Sequence, residues 1–253
     1  MNNESGITIF GVPVDPLSMD DALKEVDDAV KSRRNLNIAF LNAGKLVAME
    51  NDSLLRESVL SADLRLADGQ SVVWGCRFLG HKLPGRVAGV DLMMNMMKAG
   101  AGKGYRFFLF GARQEVIEKS VEEAKRKFGG INIAGFRNGY FSEAEEEGIA
   151  DEIRDSGADI LFVAMSSPKK EIFQKKYQER MGVPVIMGVG GSFDILAGKT
   201  KRAPMFLQRL GLEWFYRFLQ EPGRMWKRYL AGNTLFILMV LRCRLGICNC
   251  CKR

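Results

Sequence analysis

Two short segments, Asp159 to Met165 and Val183 to Val189, are apolar at nearly every position. A strand with one wet face alternates apolar and polar residues, so such runs describe strands buried on both faces, as in the centre of a helix-covered parallel sheet. Parallel neighbours need long crossover connections, and the rest of the chain supplies them. Ile7 to Val14 is rich in β-formers, and Ser18 caps a helix that carries Leu23, Val26 and Val30 at helical spacing. Further strands are predicted at Leu36 to Leu41, Leu64 to Ala67, Tyr105 to Phe110 and Ile131 to Gly135, with helices over Leu46 to Leu60 and Glu115 to Phe128. Ser142 and Glu145 form a capping box opening a helix that runs to Arg154. Met93, Met94, Met96 and Met97 read as core filling on a helix. The alternation predicts an α/β fold built on a doubly wound, Rossmann-like, mostly parallel sheet.

Charge divides the chain. Residues 199–253 hold twelve Lys or Arg against Glu213 and Glu221, a local net of +10, whereas the whole chain of 253 residues is +7 and the first 198 therefore sum to −3. We read 1–198 as the α/β body and 199–253 as a basic helical appendage. Its cations alternate with Phe206, Trp214, Phe215, Tyr216, Trp226 and Tyr229, a mixture suited to an anionic membrane surface. An ordinary helix packing its apolar face on the body is the alternative. An apolar patch left by such a tail would favour a homo-oligomer. Nucleic acid is not expected, because no recognisable binding module accompanies the basic residues. The longest apolar run, Leu235 to Leu241, is far below the roughly 18 residues of a spanning helix. Met1 to Gly6 is polar, so a cytoplasmic location, peripheral on the inner face of the membrane, is expected. Cys243, Cys248, Cys250 and Cys251 crowd the end without a disulfide framework, and Cys76 stands alone. His81, the single histidine, is expected in a surface loop and cannot supply a two-histidine site.

In a doubly wound sheet, ligands bind beyond the carboxyl ends of the strands. The residues there are polar or small: Asn42, Asp68-Gly69, Gly111-Ala112-Arg113, Ser166 to Glu171, and Gly190 to Asp194. Pro168 opens a helix whose first N–H groups suit a phosphate. Each glycine cluster alone is an ordinary turn, but their convergence on one sheet edge points to a phosphorylated ligand. No G-x-x-x-x-G-K-[ST] or strand-following G-x-G-x-x-G is present, so neither a P-loop nor a standard dinucleotide site is supported.

The run Leu66 to Trp74 (LADGQSVVW), with Gly85 to Leu92, Gly139-Tyr140-Phe141, Ser167-Pro168-Lys169 and Gly188 to Lys199, resembles the WecG/TagA/CpsF glycosyltransferases. Lys201 to Pro204, Leu212 to Arg217, Gln220 to Pro222 and Arg224 extend the resemblance over about residues 7 to 242. It implies an inverting transferase that needs no cofactor or metal. Such an enzyme moves N-acetylmannosamine, or its uronic acid, from a UDP-sugar donor to a polyprenyl-diphosphate-linked GlcNAc acceptor in teichoic acid or other surface polysaccharide synthesis.

The resemblance further implies Asp68 as general base and Arg86, Arg217 and Arg224 as ligands of the departing diphosphate. It places Asn42, Gly111, Tyr140, Ser167, Lys170, Gly191 and Asp194 around the UDP-sugar, with Tyr140 stacking on the uracil and Asp194 hydrogen-bonding the uridine. On residues alone, Asp68 reads first as a turn residue, and Arg86 can be a surface cation and Tyr140 a core aromatic. Two departures stand out: Phe40 where the family commonly carries threonine, and Lys170 where it carries glutamine. A donor with an acidic sugar met by Lys170, and a family member that keeps the fold as a membrane-bound scaffold, both remain open.

Overall fold

The computed structural model describes residues 6–209, 211–220, 223 and 232–247, with the side chains of Arg209 and Arg217 outside that set. Arg224, Cys248, Cys250 and Cys251 lie outside the described residues.

Ile7 to Val14 forms a hairpin of β1 (Thr8–Ile9) and β2 (Val12–Pro13). Six parallel strands follow: β3 (Leu36–Leu41), β4 (Leu64–Ala67), β5 (Arg106–Gly111), β6 (Asn132–Arg137), β7 (Ile160–Ala164) and β8 (Val185–Gly188), in the spatial order β4-β3-β8-β7-β5-β6. The α/β expectation therefore holds. The apolar runs of β7 and β8 sit at the centre of the sheet, and alternate residues feed different cores. Phe107, Leu109, Ile160, Phe162 and Met187 face one layer, built from α1 (Met19–Ser32), α5 (Gly89–Ala101), α6 (Gln114–Lys127) and α9 (Ser192–Leu196). Phe108, Phe110, Leu161, Val163 and Ile186 face the opposite layer of α7 (Glu146–Asp155) and α8 (Lys169–Met181). Met93, Met96 and Met97 are buried as filling.

The predicted helix over Leu46 to Leu60 is two helices, α2 (Ala43–Ala48) and α3 (Ser53–Leu60). Asp52 divides them: it adopts an extended backbone and accepts the Leu55 N–H at 2.8 Å, so it caps a new helix instead of continuing the old one. Asn42 caps α2 in the same way, accepting the Lys45 N–H at 3.0 Å. The Ser142–Glu145 capping box is present, but it opens a 3-10 turn at Glu143–Glu145 that leads into α7. His81 occupies a loop and is half-buried.

After residue 198 come α10 (Met205–Arg209), α11 (Glu213–Gln220) and α12 (Gly232–Arg244). The last of these is docked on the body. Phe236, Val240 and Cys243 share one face at spacings of four and three, and all three join the core formed by the hairpin, α2, α3 and α4 (Gln70–Phe78). Gly75 makes room for this. A Cβ there would lie 2.9 Å from the Phe236 ring, which also meets Phe10 edge-on at 5.6 Å. The outer face of α12 and the turn beyond it expose Leu235, Leu238, Leu241 and Leu245. Among the described residues, no helix is long and apolar enough to cross a membrane.

Because Phe236 fills a site shaped for it, Phe236→Ala should lower stability by about 3 to 5 kcal/mol in urea unfolding. A loss under about 1 kcal/mol would mean that α12 is not packed as described.

Candidate active site

The carboxyl edge of the sheet opens into a cleft of about 1540 Å³, to which α4, α8, α9 and α11 all contribute. Asn42, Asp68, Arg86, Tyr140, Ser167, Lys170, Gly191 and Asp194 line it, so eight residues expected from different parts of the chain come together. Gly111 stands behind the wall. Its φ of +118° and the closeness of Ala164, whose carbonyl oxygen would be 2.3 Å from an added Cβ, make it a packing glycine at the end of β5. The backbone of Arg217 belongs to α11, but its side chain and all of Arg224 lie outside the described residues.

Asp68 follows β4 directly. Its backbone N–H donates to the Leu41 carbonyl at 2.9 Å, and its Oδ1 accepts the Gly89 N–H, also at 2.9 Å. Desolvation in the cleft pushes this carboxyl above the ordinary range. The Gly89 N–H and the nearby Arg86 and Lys45 pull it back, while Glu213 adds to the rise. Arg86 donates from Nη2 to Glu213 Oε2 at 2.9 Å. Its neighbours in the cleft include Arg202, Lys199 and Lys201. This cationic rank faces a strand-end carboxylate, an arrangement able to take a proton from a hydroxyl and to neutralise an anion beside it.

At the other end of the cleft Tyr140 is 69% exposed, which removes the core-packing alternative for it. Arg113, the residue capping α6, lies against the Tyr140 hydroxyl; that contact, with Glu115 and Asp194 nearby, strengthens its hold on its proton. Lys169 sits over the Phe141 ring, 3.6 Å from its centre.

A family model for the WecG/TagA/CpsF glycosyl transferases matches residues 7–248. The chain belongs to that family. It is also 42% identical, over 185 residues, to the N-acetylglucosaminyldiphosphoundecaprenol N-acetyl-beta-D-mannosaminyltransferase of Bacillus spizizenii, a match covering 73% of this chain and 70% of that protein. The chain is therefore a glycosyltransferase, and its cleft belongs to a sugar-transfer enzyme.

The floor of this glycosyltransferase's cleft holds a charge cluster that sequence reading saw only in part. Lys45 and Lys170 each place Nζ 2.8 Å from Glu171 Oε1, and all three residues are buried. Both are close, buried ion pairs. Gly188 lets the Lys170 stem pass, a Cβ there falling 2.9 Å from its Cε. Burial works to raise the Glu171 carboxyl, but the two ammonium groups outweigh it and hold it at about 2. Lys45, three residues past Asn42 on the first turn of α2, was not read as part of this edge; Glu171 stood in the Ser166 to Glu171 stretch, but its pairing with Lys45 was not legible. Arg113 was placed at this edge without a role, and Arg202 and Glu213 stood only within the resembling stretches, their partners unread.

Glu171→Gln leaves two buried ammonium groups without their carboxylate, and should cost about 3 to 5 kcal/mol at neutral pH. The folded carboxyl titrates below the unfolded one, so its contribution is complete above the unfolded value and is lost as pH falls toward about 2. The gap between wild type and E171Q, followed by denaturant unfolding, should close over that acid range. A gap independent of pH would show that the pairing carries no linkage.

Proposed function

We propose that this glycosyltransferase moves N-acetylmannosamine from UDP to the GlcNAc of a polyprenyl-diphosphate acceptor, with inversion, in surface polysaccharide or teichoic acid synthesis. The observation that carries this reading is Asp68, fixed by the Gly89 N–H at a strand end beside Arg86. The relative's name supports the donor sugar and the acceptor. Asp68 takes the proton of the attacking GlcNAc hydroxyl. The hydroxyl oxygen bonds to the anomeric carbon from the face opposite UDP, and the bond to the diphosphate oxygen breaks. The raised affinity of Asp68 for protons makes it a stronger base once ionised. Arg86 and the other cleft cations take the charge that builds on the leaving diphosphate, so we assign that task to side chains and to no metal. Tyr140, Arg113 and Asp194 receive the uridine. The ammonium of Lys170 is already met by Glu171 at 2.8 Å, which favours the neutral sugar over a uronic acid.

Asp68→Asn should lower transfer by about 10²- to 10⁴-fold while UDP affinity, read by calorimetry, stays close to wild type. Turnover within about threefold of wild type would remove Asp68 from the role of base.

The appendage supports a peripheral seat on the inner membrane face. The outer face of α12 and the turn after it present Leu235, Leu238, Leu241 and Leu245 together with Arg242 and Arg244, a combination suited to an anionic bilayer. Replacing Leu238 and Leu245 by Asp should weaken sedimentation with phosphatidylglycerol vesicles at least about tenfold. Transfer to a short-chain acceptor should persist. Unchanged vesicle binding would place the membrane contact elsewhere.

A further inference from the structure

Four charged side chains from four segments form a chain beside Asp68, running Arg86–Glu213–Arg202–Asp91. Glu213, the first residue of α11, accepts from Arg86 Nη2 through Oε2 at 2.9 Å and from Arg202 Nε through Oε1 at 3.4 Å. Arg202 turns its other two nitrogens to Asp91, Nη2 meeting Oδ2 at 2.7 Å and Nη1 meeting Oδ1. Asp91 stands in the first turn of α5, the helix whose Gly89 N–H holds Asp68. The side chains of Arg86, Glu213 and Arg202 are only 16%, 23% and 24% exposed, so solvent and salt screen the links of Glu213 to both arginines less than a surface pair.

The geometry leaves Arg86 half engaged. Glu213 takes one of its guanidinium nitrogens, and no other protein acceptor meets it among the described residues. A guanidinium carries five donors in a rigid fork. We propose that Glu213 is a positioning residue for sugar transfer: its carboxylate fixes one edge of Arg86 so that the remaining donors point at the departing diphosphate. This rests on the roles assigned above to Asp68 and Arg86. Glu213 never touches the reacting atoms; it acts through Arg86. Its negative charge also steadies the proton on Asp68, whose other charged neighbours are Arg86 and Lys45.

The test is Glu213→Gln, which keeps the shape and loses the charge, beside Glu213→Asp, which keeps the charge on a shorter stem. Steady-state transfer, calorimetric UDP binding and thermal unfolding are measured on the full chain. E213Q should lose about 10- to 100-fold in kcat/KM, the range expected for a catalytic group displaced by about an ångström. UDP affinity should stay within about threefold. The acidic limb of its kcat/KM profile should move to lower pH, because a negative charge beside the base is gone. E213D should bring the limb back and recover part of the rate. Unchanged rate and limb in E213Q overturn the proposal. So does a lowered Tm with an unmoved limb, which describes a clasp that only holds α11 down. If the wild-type protein transfers no sugar from any UDP donor, the functional reading fails, and Glu213 is judged separately by titrating the Asp68 carboxyl with ¹³C NMR. Equal titration in wild type and E213Q then overturns it.

Discussion

A parallel sheet buried on both faces has no room for chemistry along its length. In β5, Phe107 and Leu109 fill one core while Phe108 and Phe110 fill the other, and β7 behaves in the same way. An unpaired polar side chain on either face would meet only apolar neighbours, at a cost of several kcal/mol at most sites. Polar residues are therefore expelled to the strand ends, where they meet one another. Backbone bonds fix where each connection begins: Asp68 N–H to Leu41, Ala112 N–H to Ala164, and Val189 N–H to Val163. These ties set the carboxyl edge as a row of short, anchored stubs. The cleft and its charges follow from that row.

On this edge two carboxylates are driven in opposite directions. Glu171 sits between two ammonium groups and holds its charge far into acid. Asp68 is desolvated, receives one backbone N–H, and has Glu213 nearby to offset Arg86. Separation of this kind divides labour between groups of the same chemical type. Glu171 is locked as a structural anion, whereas burial pushes Asp68 toward keeping its proton. The same cationic wall serves both, since Lys45 contacts Glu171 directly and acts on Asp68 at longer range.

Much of this was legible, and the reasons differ by residue. The sheet could be read because period and composition act locally: runs such as Ile160 to Ala164 exclude a wet face, and Ser142 with Glu145 encodes its own turn. Asp68 and Asn42 could be placed because a residue just after a strand inherits the strand's end. The division at Asp52 was missed, although a capping aspartate followed by Ser53 was in view, because Leu46 to Leu60 keeps a helical spacing of leucines across the break. Partnerships at long separation were not legible at all. Glu213 meets Arg86 across 127 positions and Arg202 meets Asp91 across 111, and no local pattern encodes either. Gly75 illustrates the same limit, its meaning appearing only when Phe236 is seen against it.

By sequence the basic appendage is one amphipathic stretch, with membrane contact and packing on the body as rival descriptions. In α12 one face packs on the body and the other is left exposed and apolar. A helix that is apolar all round belongs in a core or under a cover, and α12 satisfies this on one side only, through Phe236, Val240 and Cys243. Gly232 and Asn233, at its start, line the cleft, so the helix leads from the rim of the active site to the cationic end at Arg242 and Arg244. If a bilayer covers the outer face, the cleft mouth is brought to the same surface that carries a polyprenyl-linked acceptor. The sugar end of such a substrate would then need to rise only from the headgroup region to reach Asp68. Burying Phe236 over Gly75 would in this way do more than stabilise the fold: it would set the angle at which the enzyme meets its lipid.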